Sequence, residues 1–296
     1  MEPSYNYSTF KSNTPLPDFP YKSNFISIEG TNIHYIDEGL HEARPILLIH
    51  GVPTWSYLFR NIIPELLAAG HRVIAPDLLG FGKSSKPTDK DFYTFDKLTY
   101  LLKLFIEKLD LRKIVLFGHD WGAILGLRLS IENENRFSGL AISNGYIPRG
   151  GEKIHPIFNI WKFVTTYSPL LPVSRFINMG CNMKLTLNEE LAYELPFKDF
   201  PKKLAIRILP QLLPFNRSPD KENAKTIWKK LELWEKPFIT LFSKNDSITR
   251  GYDRILQSHV PGAKNQNHQR LEGGHFLPED SPIELSQAIN KFISTI

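Results

Sequence analysis

A single cysteine, Cys181, stands among the 296 residues, so no internal disulfide can form and a reducing compartment suits the chain. A long apolar run is also missing. Nothing approaches the roughly 18 residues needed to cross a bilayer, and the opening MEPSYNYSTFKSNTPLPDFP has no apolar centre like that of a secretory leader. A cytoplasmic protein with no membrane partner is the expectation. Blocks of like charge are absent too. The 36 Lys and Arg exceed the 31 Asp and Glu, for a net charge of +5, yet the basic residues fall in ones and twos among carboxylates. This spread argues against a nucleic-acid partner, and no internal repeat is visible.

What is present suits one folded unit. Apolar residues make up 42% of the chain and aromatics 12%, enough for a large core with an inserted lid. The first ~20 residues, rich in Pro, Ser and Asn, read as a surface tail. FISIEGTNIHYIDEG reads as a hairpin about Gly30-Thr31, after which strands and helices alternate. PILLIH is a buried strand followed by a helix from Trp55 to Ala69, and HRVIAP is the next strand. In TFDKLTYLLKLFIEKLD, Thr94 is placed to cap a helix whose Phe95, Leu98, Leu102, Phe105, Ile106 and Leu109 share one face. From Pro148 to Trp234 the alternation stops, and short helical pieces carry many prolines and aromatics. It resumes with PFITLF, a helix near GYDRILQSH, a strand NHQRL and a closing helix PIELSQAINKFI. The expected architecture is α/β: a mostly parallel sheet flanked by helices, built from 1–147 and 235–296, with 148–234 as an inserted helical cap.

FGHDWGA, residues 117–123, sits between an apolar strand and a helix. Its Gly118-x-Asp120-x-Gly122 spacing is that of a nucleophile elbow, with Asp where serine usually stands. Asp246 and His275 each follow a later strand, which gives the chain order nucleophile, acid, histidine. His50-Gly51 follows the first parallel strand. Singly, Asp120 could be a helix cap, Asp246 a turn former and His275 a structural histidine. Their shared order and placement favour a catalytic set. A carboxylate is charged at neutral pH without help from a base and can displace a leaving group from saturated carbon. The resulting ester can be hydrolysed, whereas serine would leave an inert ether. His275, held by Asp246 and neutral when working, with an ordinary pKa near ~6.5, would activate water. The backbone N–H groups of Val52 and Trp121 would stabilise the oxyanion. Alkyl halides and epoxides both fit this chemistry, and Tyr146, Tyr167 and Tyr193 are the proton donors an epoxide would need.

HGVPTWSYLFRNIIPELLAAGHRVIAPDLLGFGKSSKP, FGHDWGA, WEKPFITLFSKNDSITRG and GGHFLPED together resemble the haloalkane dehalogenases of the α/β-hydrolase superfamily, in the branch whose triad acid follows strand seven. The likeness runs from about residue 24 to the end. It implies cleavage of haloalkanes to an alcohol, a halide ion and a proton through an alkyl ester of Asp120, with water as co-substrate and no cofactor or metal. It also implies that Trp121 and a cap tryptophan, Trp161, hold the departing halide. Position 52, often Glu or Asn in that family, is Val here. Trp55, Trp228 and Trp234 read as packing residues. Phe158, Phe163, Phe176, Phe197, Phe200, Ile208 and Leu212 are candidates to line an apolar cavity. A monomer is expected; the alternatives are an epoxide hydrolase or a binding protein on the same fold that turns nothing over.

Overall fold

A hairpin leads the chain into the sheet. β1 (Asn24–Ile28) and β2 (Thr31–Glu38) pair antiparallel, and the tight turn falls on Glu29 and Gly30, both at positive φ, one residue earlier than expected. The computed structural model describes residues 16–149, 156–168, 171–198, 201–213 and 221–296. Most of the N-terminal tail, residues 1–15, lies outside them.

β3 (Pro45–Ile49), β4 (Arg72–Pro76), β5 (Ile114–His119), β6 (Phe137–Ser143), β7 (Phe238–Ser243) and β8 (Gln269–Leu271) complete a sheet of order β1-β2-β4-β3-β5-β6-β7-β8. The six strands from β3 to β8 run parallel to one another, and the hairpin joins them through an antiparallel pairing of β2 with β4. β3, β4, β5 and β7 are buried along their whole length, as continuous apolar strands covered on both faces must be. β8 is only three residues long, shorter than NHQRL suggested.

The chain steps outward from β3 to β4 and then reverses to β5. Right-handed crossovers therefore put α1 (Ile63–Ala68) and α2 (Phe95–Lys108) on opposite faces. The packing agrees: α1 meets α11 (Pro282–Ile293), while α2 meets α3 (Trp121–Glu132). The reversal leaves a crevice at the carboxyl ends of the adjacent strands β3 and β5, the usual place for a ligand in such a sheet.

α2 matches expectation. The Thr94 hydroxyl accepts from the Lys97 N–H at 3.1 Å, and Phe95, Leu98, Leu102, Phe105 and Ile106 are buried. The helix from Trp55 to Ala69 does not form as one piece: a single 3₁₀ turn at Ser56–Phe59 precedes α1. Pro64 explains the break. It has no N–H to offer the Arg60 carbonyl, so it is tolerated in the first turn of α1 and not inside a longer helix.

Between β6 and β7 the described chain forms α4 (Pro156–Tyr167), α5 (Val173–Gly180), α6 (Leu187–Glu194), α7 (Leu204–Leu212) and α8 (Lys221–Leu231). Trp228 and Trp234 are buried where this segment rejoins the sheet, and the Trp228 indole donates to the Ile147 carbonyl at 2.8 Å. Trp55 is fully buried and stacks on Tyr57. After β7 come α9 (Tyr252–His259), β8, the short α10 (Leu277–Asp280) and α11.

Candidate active site

Asp120 sits between β5 and α3 at φ 52°, ψ −119°, a conformation that strains any residue bearing a Cβ. Close packing holds it there. A Cβ on Gly122 would lie 1.9 Å from the Ile49 carbonyl oxygen, and one on Gly51 would lie 2.4 Å from the Cβ of Asp120. Only glycine lets the end of β3 and the elbow touch, and that contact brings the Val52 N–H to within 2.8 Å of Asp120 Oδ1, to which it donates. The Asp120 side chain makes no capping hydrogen bond to α3. Its carboxylate is therefore not occupied in ending a helix.

His275, after β8, joins the two carboxylates. Its Nδ1 lies 3.1 Å from Asp246 Oδ2 and its Nε2 3.4 Å from Asp120 Oδ2. Burial alone would lower the His275 pKa, but Asp246 and Asp120 outweigh it and raise the imidazole to about 10. With Asp120 ionised the ring is thus protonated at neutral pH, a correction to the ordinary value near 6.5 expected from sequence. Burial likewise opposes the charge on Asp246, yet His275, the Thr249 hydroxyl and the Ile248 N–H hold it well below the usual carboxylate range. Asp246 does form the turn its sequence suggested, since Oδ1 accepts from the Ile248 N–H at 2.8 Å, while Oδ2 serves His275.

Two supporting residues escaped the sequence reading. Asn144, just after β6, donates its amide to Asp246 Oδ2 and to Ser243 Oγ, each at 2.9 Å. His119, next to Asp120, donates from Nε2 to the His275 carbonyl at 2.7 Å. Burial and the neighbouring His275 lower its pKa to about 4, so it is a neutral brace. His50, conspicuous in the sequence, is also a brace: Nδ1 donates to the Gly51 carbonyl at 2.8 Å, and Nε2 accepts from the Leu78 N–H at 2.9 Å.

Asp120, His275, Val52, Trp121 and Trp161 line one cavity of about 300 Å³. The rest of its wall is mainly apolar. Of the aromatics proposed for it, Phe158 and Phe176 are present, and the Trp161 ring meets Phe176 edge-on at 4.8 Å. Phe163 is 65% exposed, because five residues along a helix from Phe158 lies the opposite side. Phe197 packs against Phe81 instead, Leu213 takes the place foreseen for Ile208 and Leu212, and Phe200 lies outside the described residues. Of the three tyrosines, only Tyr146 lines the cavity. Tyr167 is 70% exposed, and buried Tyr193 donates to Glu279.

The loop bearing His275 is fastened to the helices above it. The His275 N–H donates to the Gly180 carbonyl at 2.6 Å, and Asp280 accepts from the N–H groups of Gly274 at 2.7 Å and Met183 at 2.9 Å. Beside it, fully buried Arg60 donates to Glu279 at 2.5 and 2.8 Å and to Glu189 of α6 at 2.5 Å. Neither link was visible in the sequence, where Glu279 and Asp280 read only as part of GGHFLPED.

A family profile described as alpha/beta hydrolase fold matches residues 44–158. A haloalkane dehalogenase of Psychrobacter cryohalolentis is 40% identical over 285 residues, covering 94% of either chain. One from Mycobacterium marinum is 38% identical over 282 residues, covering 93% of this chain and 94% of the other. Among solved structures, the tetrameric haloalkane dehalogenase DpaA of Paraglaciecola agarilytica is similar with a TM-score of 0.84 at 30% identity, covering 95% of each chain.

Proposed function

The chain belongs to the haloalkane dehalogenase family, and we propose how its residues carry out the hydrolytic dehalogenation of haloalkanes. Asp120 Oδ2 attacks the carbon that bears the halogen. The carbon–halogen bond breaks, the halide leaves as an anion, and an ester to Asp120 remains. The indole N–H groups of Trp121 and Trp161 receive the halide, since such donors cannot become acceptors and the cavity is mostly apolar. His275 then takes a proton from water, whose oxygen adds to Asp120 Cγ. The charge passes to Oδ1, which meets the N–H groups of Val52 and Trp121. Collapse releases the alcohol with the old Oδ2, so one haloalkane and one water yield one alcohol, one halide and one proton.

One observation carries this reading. The two Asp120 oxygens have different surroundings: Oδ1 is tied to the Val52 N–H, and Oδ2 faces His275. The same geometry times the base. While Asp120 is charged, two anions hold His275 protonated; esterification removes one, and the imidazole gives up its proton more readily at the step that needs a base. Val52 contributes only its backbone, so its side chain cannot help to hold the water or the halide.

Residues 148–234 form, in this reading, the cap that closes the cavity over 1–147 and 235–296. The protein works as a cytoplasmic monomer without cofactor, metal or nucleic acid. No helix among the described residues is long and apolar enough to cross a membrane. The test is halide release from 1,2-dibromoethane run beside hydrolysis of styrene oxide. Bromide without diol is expected. Diol without halide would favour an epoxide hydrolase, and binding without turnover a silent member of the fold.

A further inference from the structure

The rim of the cavity is itself apolar on the outside. Along α4, Ile160, Phe163 and Tyr167 are 62%, 65% and 70% exposed, and their i, i+3, i+7 spacing sets them in one stripe. The Phe163 and Tyr167 rings touch, with centroids 5.0 Å apart. The segment that follows is also apolar on the outside: Met179, Met183 and Leu187 are 81%, 65% and 71% exposed. Elsewhere among the described residues only Phe25, Leu40, Tyr100, Leu233 and Ile283 are large apolar side chains open to solvent, and they are scattered. Ile160 and Met179 also line the cavity, so the patch runs directly into its mouth.

Charge distinguishes this face from the rest of the chain. Residues 156–187 contain Lys162, Arg175 and Lys184 and no Asp or Glu at all. None of the three cations has an ion-pair partner among the described residues. Of the carboxylates nearby, Glu189 pairs with Arg60, Glu190 accepts from the Asn178 amide, and Asp280 is turned inward to accept from the N–H groups of Asn182 and Met183. Exposed aliphatic and aromatic side chains among cations that make no ion pair are the pattern of a segment that lies in the surface of an anionic membrane. A second copy of the chain is a poor occupant, because two such faces would oppose three unpaired cations to three.

We propose that this face of the cap docks on anionic lipid, with the mouth of the cavity turned toward the bilayer. The expectation of no membrane partner rested on the lack of a spanning segment, and peripheral docking needs none. The benefit rests on the function proposed above: haloalkanes dissolve in the acyl region, and a docked mouth would draw them from there. Binding itself does not depend on that function.

Flotation of the purified protein with vesicles tests this, using phosphatidylcholine alone and phosphatidylcholine mixed with phosphatidylglycerol. The protein should float with the anionic vesicles, and added salt should weaken the association. Each basic residue near an anionic surface is worth about fivefold in partitioning, so Arg175→Glu with Lys184→Glu should lose at least about 25-fold. Phe163→Ser with Tyr167→Ser should also weaken binding. None of these residues lines the cavity, so halide release from a water-soluble substrate should stay at the wild-type level in both variants. Failure of wild-type halide release would count against the proposed function without touching vesicle binding. No flotation with anionic vesicles, or undiminished flotation of the Arg175→Glu/Lys184→Glu variant, would overturn the docking face. A dimer seen by light scattering and abolished by Phe163→Ser/Tyr167→Ser would overturn it in favour of a second copy.

Discussion

Replacing Arg60 by methionine is expected to destabilise the protein more than any other single change to a charged residue beneath the cap. The guanidinium is 1% exposed and donates to Glu279 at 2.5 and 2.8 Å and to Glu189 at 2.5 Å. The Glu279 side chain is 5% exposed, so in the variant its charge stays buried without a counter-ion. Breaking one partner out of a buried pair costs about 3–5 kcal/mol. At about 2.1 cal/mol/K per residue, the unfolding entropy of 296 residues is about 0.6 kcal/mol/K, so Tm should fall by roughly 5–8 °C. Arg60→Met with Glu279→Gln should recover much of the loss, because the amide removes the orphan charge and can still accept from Tyr193. Calorimetry on the wild type and the three variants closes a double-mutant cycle. A fall under about 2 °C for Arg60→Met, or a double variant no better than the single, would refute the reasoning. Glu279 follows His275 by four residues, so turnover by Arg60→Met should fall as well.

Three further outcomes are expected. His275→Phe should be alkylated by 1,2-dibromoethane and then stall, visible as a rise in intact mass; bromide release with no adduct would count against the ester. Trp121→Phe and Trp161→Phe should each weaken bromide binding, read by the fluorescence of the remaining tryptophans, by a factor of about 10–100 for a lost donor to an anion; wild-type affinity in Trp161→Phe would move the second donor to another cap residue. In stopped-flow, hydrolysis should fail with acid while alkylation holds. The sign follows from His275, which must be neutral to act as base: esterification of Asp120 removes one of the two charges that raise its pKa, so the acid limb of hydrolysis should lie below the value of about 10 that the ring has beside a charged Asp120. Equal sensitivity of both steps would undo the division of labour.

Contacts encoded locally were legible in the sequence. The Thr94 cap, the apolar face of α2 and the Gly-x-Asp-x-Gly elbow each depend on residues within one or two turns, where spacing alone decides the geometry. The chain order of Asp120, Asp246 and His275 was legible because parallel strands deliver their carboxyl ends to one edge. Contacts that depend on how distant segments fold over one another were not. Asn144 reaches Asp246 across 102 positions, Arg60 reaches Glu279 across 219, and His119 reaches the His275 carbonyl across 156. The pKa of His275 was misjudged for the same reason, since it is set by two carboxylates that meet only in the folded chain. The cavity wall was only partly foreseen: a list of aromatics carries no helix phase, and Phe163 points away from the cavity that Phe158 and Trp161 enter.

The central claim is that Asp120 attacks carbon and does not merely activate water. A single turnover in ¹⁸O-water, with enzyme in excess over 1,2-dibromoethane, tests it most directly. If Oδ2 becomes the oxygen of the alcohol and water adds to Cγ, the first alcohol released is unlabelled and the peptide containing Asp120 gains one heavy oxygen. Labelled alcohol beside an unlabelled peptide would contradict the account.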